Sequence, residues 1–311
     1  MAPPDLATPT RPPGAEAGGH ALRFYDVASA DGTRLRAWSN DVEGPTVLLC
    51  NGLGTSPYAW PALLRPDCGV HVVSWYHRGV SGSERPDDQS RVDLTAFVED
   101  ALAVLDDAGV VSCPVVGWSL GVDTAFELAL EHPERVTGVF AVAGVPGGTF
   151  TSIGAPLMVP RFARRPLAVA VTTLLGRTGW ALTPFTSSLP VGAATANLLR
   201  HSGLILPSAK TTTVQNAVAE FLTTPVEWYM HLAHAATRHG RLQVSRVRVP
   251  TVFVAGTYDL LADAEEMRTL ATRMRRARYV ELGGSHFVQM EHPEEVHEEL
   301  LAFVGSVGCS P

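Results

Sequence analysis

Short apolar runs separated by stretches of helical spacing constrain this chain more than any other feature. "TVLLC" (46–50), "VHVVSWY" (70–76), "CPVVGW" (113–118), "VTGVFAVAG" (136–144) and "PTVFVAG" (250–256) are continuous or nearly so. A half-exposed strand alternates apolar with polar residues; a run without alternation suits a strand covered on both faces. In "DLTAFVEDALAVLDDAG", Leu94, Phe97, Val98, Ala101, Leu102 and Leu105 share one side of a helix, and Gly109 stops it. A second helix is read from Leu120 to His132, ended by Pro133, and others over 263–275 and about 294–304, with "RYVEL" as a strand between them. Such alternation predicts an α/β fold, a mostly parallel twisted sheet with helices on both faces. "LRFYDVAS" and "RLRAWSN" around "ADG" read as a hairpin ahead of it.

Between 147 and 245 the strand pattern is absent, and the residues read as loops and helices. The first nineteen residues hold five prolines and no apolar core. The expected organisation is a disordered tail over 1–19, a core built from 20–146 and 246–311, and a helical cap inserted over 147–245.

Composition narrows the function. Hydrophobic residues make up 46% of the 311 and charged ones 18%, enough to bury a large core. The net charge is −7 and basic residues cluster no further than arginine pairs, which argues against nucleic acid. No run of about 18 uncharged apolar residues occurs, so no membrane span is expected; "PLAVAVTTLLGRTGWAL" comes nearest and is interrupted by Arg177. The four cysteines form no C-x-x-C pair, and Cys50 and Cys113 read as small buried hydrophobes. Reduced thiols and a cytoplasmic setting are expected. His231 and His234 lack a third ligand, so neither a metal nor another cofactor is expected.

The chemistry starts at Gly117-Trp118-Ser119-Leu120-Gly121, set between a strand and a helix. G-x-S-x-G in that context is a nucleophile elbow: the glycines make room for a tight turn, and the helix aims its first amides at the serine. A serine hydroxyl needs a base. His286 follows the last strand run in "VELGGSHFVQMEHP", whereas His292 and His297, on or beside the final helix, read as solvated. The imidazole needs an acid. Asp259 ends "VFVAGTYD"; its rival Asp123 sits one helical turn beyond Ser119 and points away from the base. Gly52 and Gly54 in "LLCNGLGTSPYAW" free backbone amides, and those of Leu53 and Leu120 are the candidate oxyanion donors.

"NGLG", "YHRGVSGS", "GWSLG", "GTYD" and "GGSHF", in that order from about residue 22 to 305, resemble the α/β-hydrolase fold superfamily, of the Ser-His-Asp type with a helical cap between the sixth and seventh core strands. The resemblance implies Ser119 as nucleophile, Asp259 as acid, His286 as base, and Leu53 and Leu120 as oxyanion donors. Two departures stand out. Asn51-Gly52 replaces the usual His-Gly, and the loop after Tyr76 lacks its usual acid, having His77 before Arg78. An Asp at position 119 would imply an epoxide hydrolase or dehalogenase; a serine implies acyl chemistry. The expected function is a carboxylesterase-like hydrolase taking a small to medium hydrophobic ester, with Trp118, Trp228 and Tyr229 as substrate-binding residues. Trp228 and Tyr229 alternatively anchor the cap to the core. Other acyl or carbon–carbon hydrolases and a non-catalytic receptor share the scaffold.

Overall fold

Eight strands form one sheet: β1 Arg23–Ala28, β2 Arg34–Ser39, β3 Thr46–Cys50, β4 His71–Trp75, β5 Cys113–Trp118, β6 Val136–Val142, β7 Thr251–Gly256 and β8 Ala277–Leu282. Their spatial order is β1-β2-β4-β3-β5-β6-β7-β8. The β1–β2 and β2–β4 pairings are antiparallel, as the hairpin reading requires, and every later pairing is parallel. The computed structural model describes residues 22–148, 160–238 and 242–308; the tail read over 1–19 and Cys309 lie outside them.

The apolar runs are continuous because both faces of the sheet are covered. Leu48, Val115, Val139 and Phe253 belong to one buried cluster, while their chain neighbours Leu49, Val116, Phe140 and Val252 or Val254 belong to the other. Helices α1 (Leu94–Asp107) and α2 (Leu120–Glu131) follow β4 and β5. Asp93 caps α1 by accepting from the Ala96 amide, and Gly109 beyond its end takes a φ of 66°.

Between β6 and β7 lie α3 (Arg161–Thr178), α4 (Thr183–Ser187), α5 (Ala193–Arg200), α6 (Thr211–Phe221) and α7 (Val226–Thr237). Their buried residues Ala196, Val214, Trp228 and Leu232, with Ile205 between α5 and α6, join the cluster that holds Leu53, Trp118 and Leu120. Then come α8 (Ala264–Arg273), the single turn α9 (Val288–Glu291) and α10 (Pro293–Val307). Residues from α1, α2 and α8 cover one face of the sheet; Phe303 and Val304 of α10 cover the other.

β3 lies between β4 and β5, so the strand order reverses there. The chain leaves β3 and β5 in opposite directions across the sheet and opens a crevice at their carboxyl ends, where parallel sheets place ligand sites. The loop after β4 is held by ion pairs through its arginine. Arg78 is fully buried, and its guanidinium donates to Asp100 of α1, to Asp31 and to Ser29. Asp31 and Asp100, both distant in sequence, are thus the acids that pair with this loop. His77 is buried against the Phe97 ring, and burial lowers its pKa to about 4.

Candidate active site

Ser119 joins β5 to α2 with φ 55° and ψ −119°, a strained conformation for a residue with a side chain. The flanking glycines are required by space. A Cβ on Gly117 would lie 2.7 Å from the Gly121 carbonyl oxygen, and one on Gly121 would lie 1.9 Å from the Cys50 carbonyl oxygen. Side chains at either position would push α2 off β5 or β3. The turn lifts the serine Oγ above the sheet edge at the N-terminus of α2.

His286 reaches this hydroxyl from the loop after β8, with Nε2 2.9 Å from Ser119 Oγ. Its Nδ1 lies 2.9 Å and 3.1 Å from the two carboxylate oxygens of Asp259. Asp259 follows β7, and its side chain is only 1% exposed. The Leu261 and Ala262 amides donate to its Oδ1 at 2.7 and 2.8 Å, so backbone fixes the acid that orients the ring. Beneath the histidine loop a Cβ on Gly256 would fall 2.3 Å from the Ser285 carbonyl oxygen. Trp118 Nε1 donates to the His286 carbonyl at 3.0 Å, tying the elbow to that loop. Asp123 takes no part in this arrangement: it is buried and accepts from the Gly147 amide at 2.6 Å.

The loop after β3 supplies the other wall. Asn51 Oδ1 accepts from the Gly52 amide and from Trp60 Nε1, each at 3.1 Å, and Asn51 Nδ2 donates to the Ser56 carbonyl. The asparagine thus organises the turn where the family pattern has histidine. The amides of Leu53 and Leu120 donate to no described group, and both residues line the cavity over Ser119.

Residues 45–293 match the family model for the alpha/beta hydrolase fold. The chain belongs to this family. Epoxide hydrolase A of Mycobacterium tuberculosis is 26% identical over 312 aligned positions, covering 89% of this chain and 96% of that protein. Two solved structures share the fold. The enol-lactonase of Burkholderia xenovorans has a TM-score of 0.66 at 20% identity, covering 90% of this chain and all of that one. A thermophilic esterase of Thermogutta terrifontis has a TM-score of 0.68 at 17% identity, covering 92% of this chain and all of that one.

In this α/β-hydrolase a cavity of about 480 Å³ stands over Ser119 and His286. Its wall is almost wholly apolar: Leu53, Trp118, Leu120, Val145, Phe287 and Met290 come from the core, and Leu199, Ile205, Val218, Phe221 and Tyr229 from the segment between β6 and β7. Of the three expected substrate-binding aromatics, Trp118 and Tyr229 line it. Burial pushes the Tyr229 phenol up to about 12. Trp228 does not line the cavity. One residue before Tyr229 on α7, it faces the core, where its Nε1 donates to the Arg78 carbonyl at 2.8 Å and Arg85 covers its ring at 4.4 Å. It anchors α7, the alternative considered for the pair.

His297 is another correction: it is buried, its Nδ1 lacks a hydrogen bond among the described residues, and burial lowers its pKa. His231 donates to the Gln89 carbonyl at 2.7 Å, and no group of three or more metal-ligating side chains forms among the described residues.

Two acids near the site escaped sequence reasoning. Glu291 accepts from the Ser285 amide, the Ser285 hydroxyl and the Leu206 amide, each at 2.6 Å, and so braces the histidine loop against the segment preceding α6. Glu220 of α6 accepts from the Tyr76 hydroxyl, and burial raises its pKa despite that bond. "HFVQMEHP" contains Glu291 six positions after Ser285, but nothing in its spacing distinguishes it from the solvated acids of α10.

Proposed function

We propose that this hydrolase cleaves small to medium hydrophobic carboxylic esters through an acyl-enzyme on Ser119. The observation that carries the reading is the Ser119–His286–Asp259 chain of contacts opening into an apolar cavity. His286 Nε2 takes the Oγ proton as Oγ bonds to the ester carbonyl carbon. The carbonyl electron pair moves onto its oxygen, which the Leu53 and Leu120 amides receive; each such donor is typically worth roughly 3 kcal/mol of transition-state stabilisation. The oxyanion then collapses, the carbon–alkoxide bond breaks, and the imidazolium gives its proton to the leaving alcohol. A water molecule, deprotonated by His286, repeats the sequence and releases the acid. Asp259 holds the ring in the productive tautomer throughout.

The epoxide hydrolase relative raises a different substrate. A carboxylate that opens an epoxide leaves an ester, which water can cleave. A serine would leave an alkyl ether with no carbonyl to attack, and turnover would stop after one event. The serine at position 119 therefore favours an acyl substrate over an epoxide. The division into a core (20–146 and 246–311) and a cap (147–245) belongs to this reading, since every group given a catalytic role lies outside the cap. The free, buried Cys50, Cys68 and Cys113 support a reducing cytoplasmic setting.

The test is turnover of p-nitrophenyl esters of increasing acyl length beside an aryl epoxide. Ester turnover with an optimum at short to medium chains is expected, with no catalytic consumption of the epoxide. Multiple turnovers of the epoxide without ester cleavage would overturn the reading.

A further inference from the structure

We propose that the face of the cap formed by α3, the turn at 179–181 and α4 is a docking surface for an anionic lipid bilayer. This is independent of whether an ester is the substrate. The first observation is apolar exposure. Leu167, Val171 and Leu174 follow one another at helical spacing along α3 and are 50%, 44% and 62% exposed; Trp180 and Phe185, just beyond, are 68% and 66% exposed. The opposite side of α3 packs on α7, with Thr172 buried beside His234, so the exposed stripe is a true outer face. Soluble surfaces carry isolated apolar side chains, but a run of five large ones across α3, the turn at 179–181 and α4 marks a contact.

The second observation is charge. The chain as a whole carries −7, yet residues 161–189, which form this face, contain four arginines and no acidic residue; Arg165 turns to the Thr237 carbonyl, and the neighbouring Glu227 accepts from Thr183. On the α3 wheel, Arg164 and Arg177 fall at the two edges of the apolar stripe. An apolar stripe bordered by arginines, with a tryptophan and a phenylalanine at its end, is the pattern of a helix lying in a membrane interface. Acyl chains take the apolar side chains while guanidinium groups meet lipid phosphates. A second copy of this face would bring the same positive charges together across a two-fold axis, so the charge selects an anionic partner over self-association. The geometry gives docking a use: Leu189, just after α4, is exposed and also lines the cavity over Ser119. The cavity wall therefore reaches the surface at a residue next to the proposed membrane face.

The test is flotation of the full chain with vesicles of equal parts phosphatidylcholine and phosphatidylglycerol, and with phosphatidylcholine alone. Binding to the mixed vesicles, weak binding to phosphatidylcholine, and release by high salt are expected. Trp180→Ser with Phe185→Ser should lower partitioning more than tenfold, and Arg177→Gln about fivefold. Neither should change the melting temperature, since these side chains are outside the core and the cavity wall. Failure to float with mixed vesicles, equal binding to phosphatidylcholine, or unchanged flotation of the double variant would overturn the proposal. So would a wild-type dimer in sedimentation that the double variant converts to a monomer, which would make the face a subunit contact.

Discussion

The carboxyl end of the sheet and the helical segment above it are built by different means. At the sheet, backbone sets Ser119, His286 and Asp259 in place: Gly117, Gly121 and Gly256 have no room for a side chain, and two amides hold Asp259. Above it, the attachment relies on side chains reaching across: Trp228 to the Arg78 carbonyl, Glu220 to Tyr76, His231 to the Gln89 carbonyl. Backbone geometry leaves few alternatives and suits chemistry that needs fixed distances. Side-chain contacts can be exchanged singly and suit a wall that selects substrates. Substitutions at Ser119, His286 and Asp259 should therefore act on kcat, and substitutions in the segment above on stability, KM or selectivity.

After loss of Ser119 itself, the largest effect should come from Asp259→Asn. Asparagine cannot stabilise the imidazolium and favours the wrong tautomer, and the loss of kcat should be on the order of 10⁴-fold. Asp123→Asn, whose carboxylate accepts from the Gly147 amide and does not bond the His286 ring, should cost far less. Comparable losses in steady-state kinetics would remove the distinction between the two acids.

Trp228→Ala should break the anchor of α7. Loss of a buried tryptophan typically costs about 3–5 kcal/mol, read as a large fall in melting temperature, while the chain-length preference among esters stays the same. A shifted preference at constant stability would return Trp228 to the pocket wall.

A slightly smaller effect is expected from the buried imidazole of the loop after β4. His77 stays neutral down to about pH 4 in the folded protein because it is buried, whereas an unfolded chain protonates it near pH 6.5. Between those values the unfolded state binds the extra proton, so stability falls as pH is lowered from about 6.5 to about 4, by up to about 3 kcal/mol. His77→Phe, which keeps the packing on Phe97, should flatten that part of a melting-temperature profile against pH. An unchanged slope would assign the acid sensitivity to other groups.

The smallest effect should be on selectivity. Tyr229 packs against Gly54 and Phe221 and lines the cavity. Tyr229→Ala should move the acyl-length optimum to longer esters, changing relative kcat/KM by roughly tenfold with kcat on the best substrate nearly constant. A fall in kcat on all esters alike would place Tyr229 with the chemistry.

The same contrast decides what could be read before any coordinates. The strands were legible because burial on both faces removes polar residues from them, and the elbow because its glycines answer a steric need that leaves a mark in sequence. The three-way meeting of Ser119, Asp259 and His286 was expected from chain order and loop position. Contacts between distant side chains were not legible. Arg78 with Asp100, Glu291 with Leu206 and Trp228 with Arg78 depend on where loops fold, and each residue type has many plausible partners. The buried His297 shows the limit of helical spacing near a helix start, where α9 and the short turns at 57–64 enclose it and neither had a sequence signal. Trp228 and Tyr229 differ by one position, and only the orientation of α7 decides which faces the cavity.

The covalent step is the centre of the account and can be observed directly. Wild-type protein mixed with a p-nitrophenyl ester and quenched in acid during turnover should carry one acyl group by intact mass, and fragmentation should locate it on the peptide containing Ser119. Ser119→Ala should show no adduct and lose on the order of 10⁶ in kcat. An acyl group on another residue, or turnover by Ser119→Ala near the wild-type rate, would contradict the assignment of Ser119 as the nucleophile.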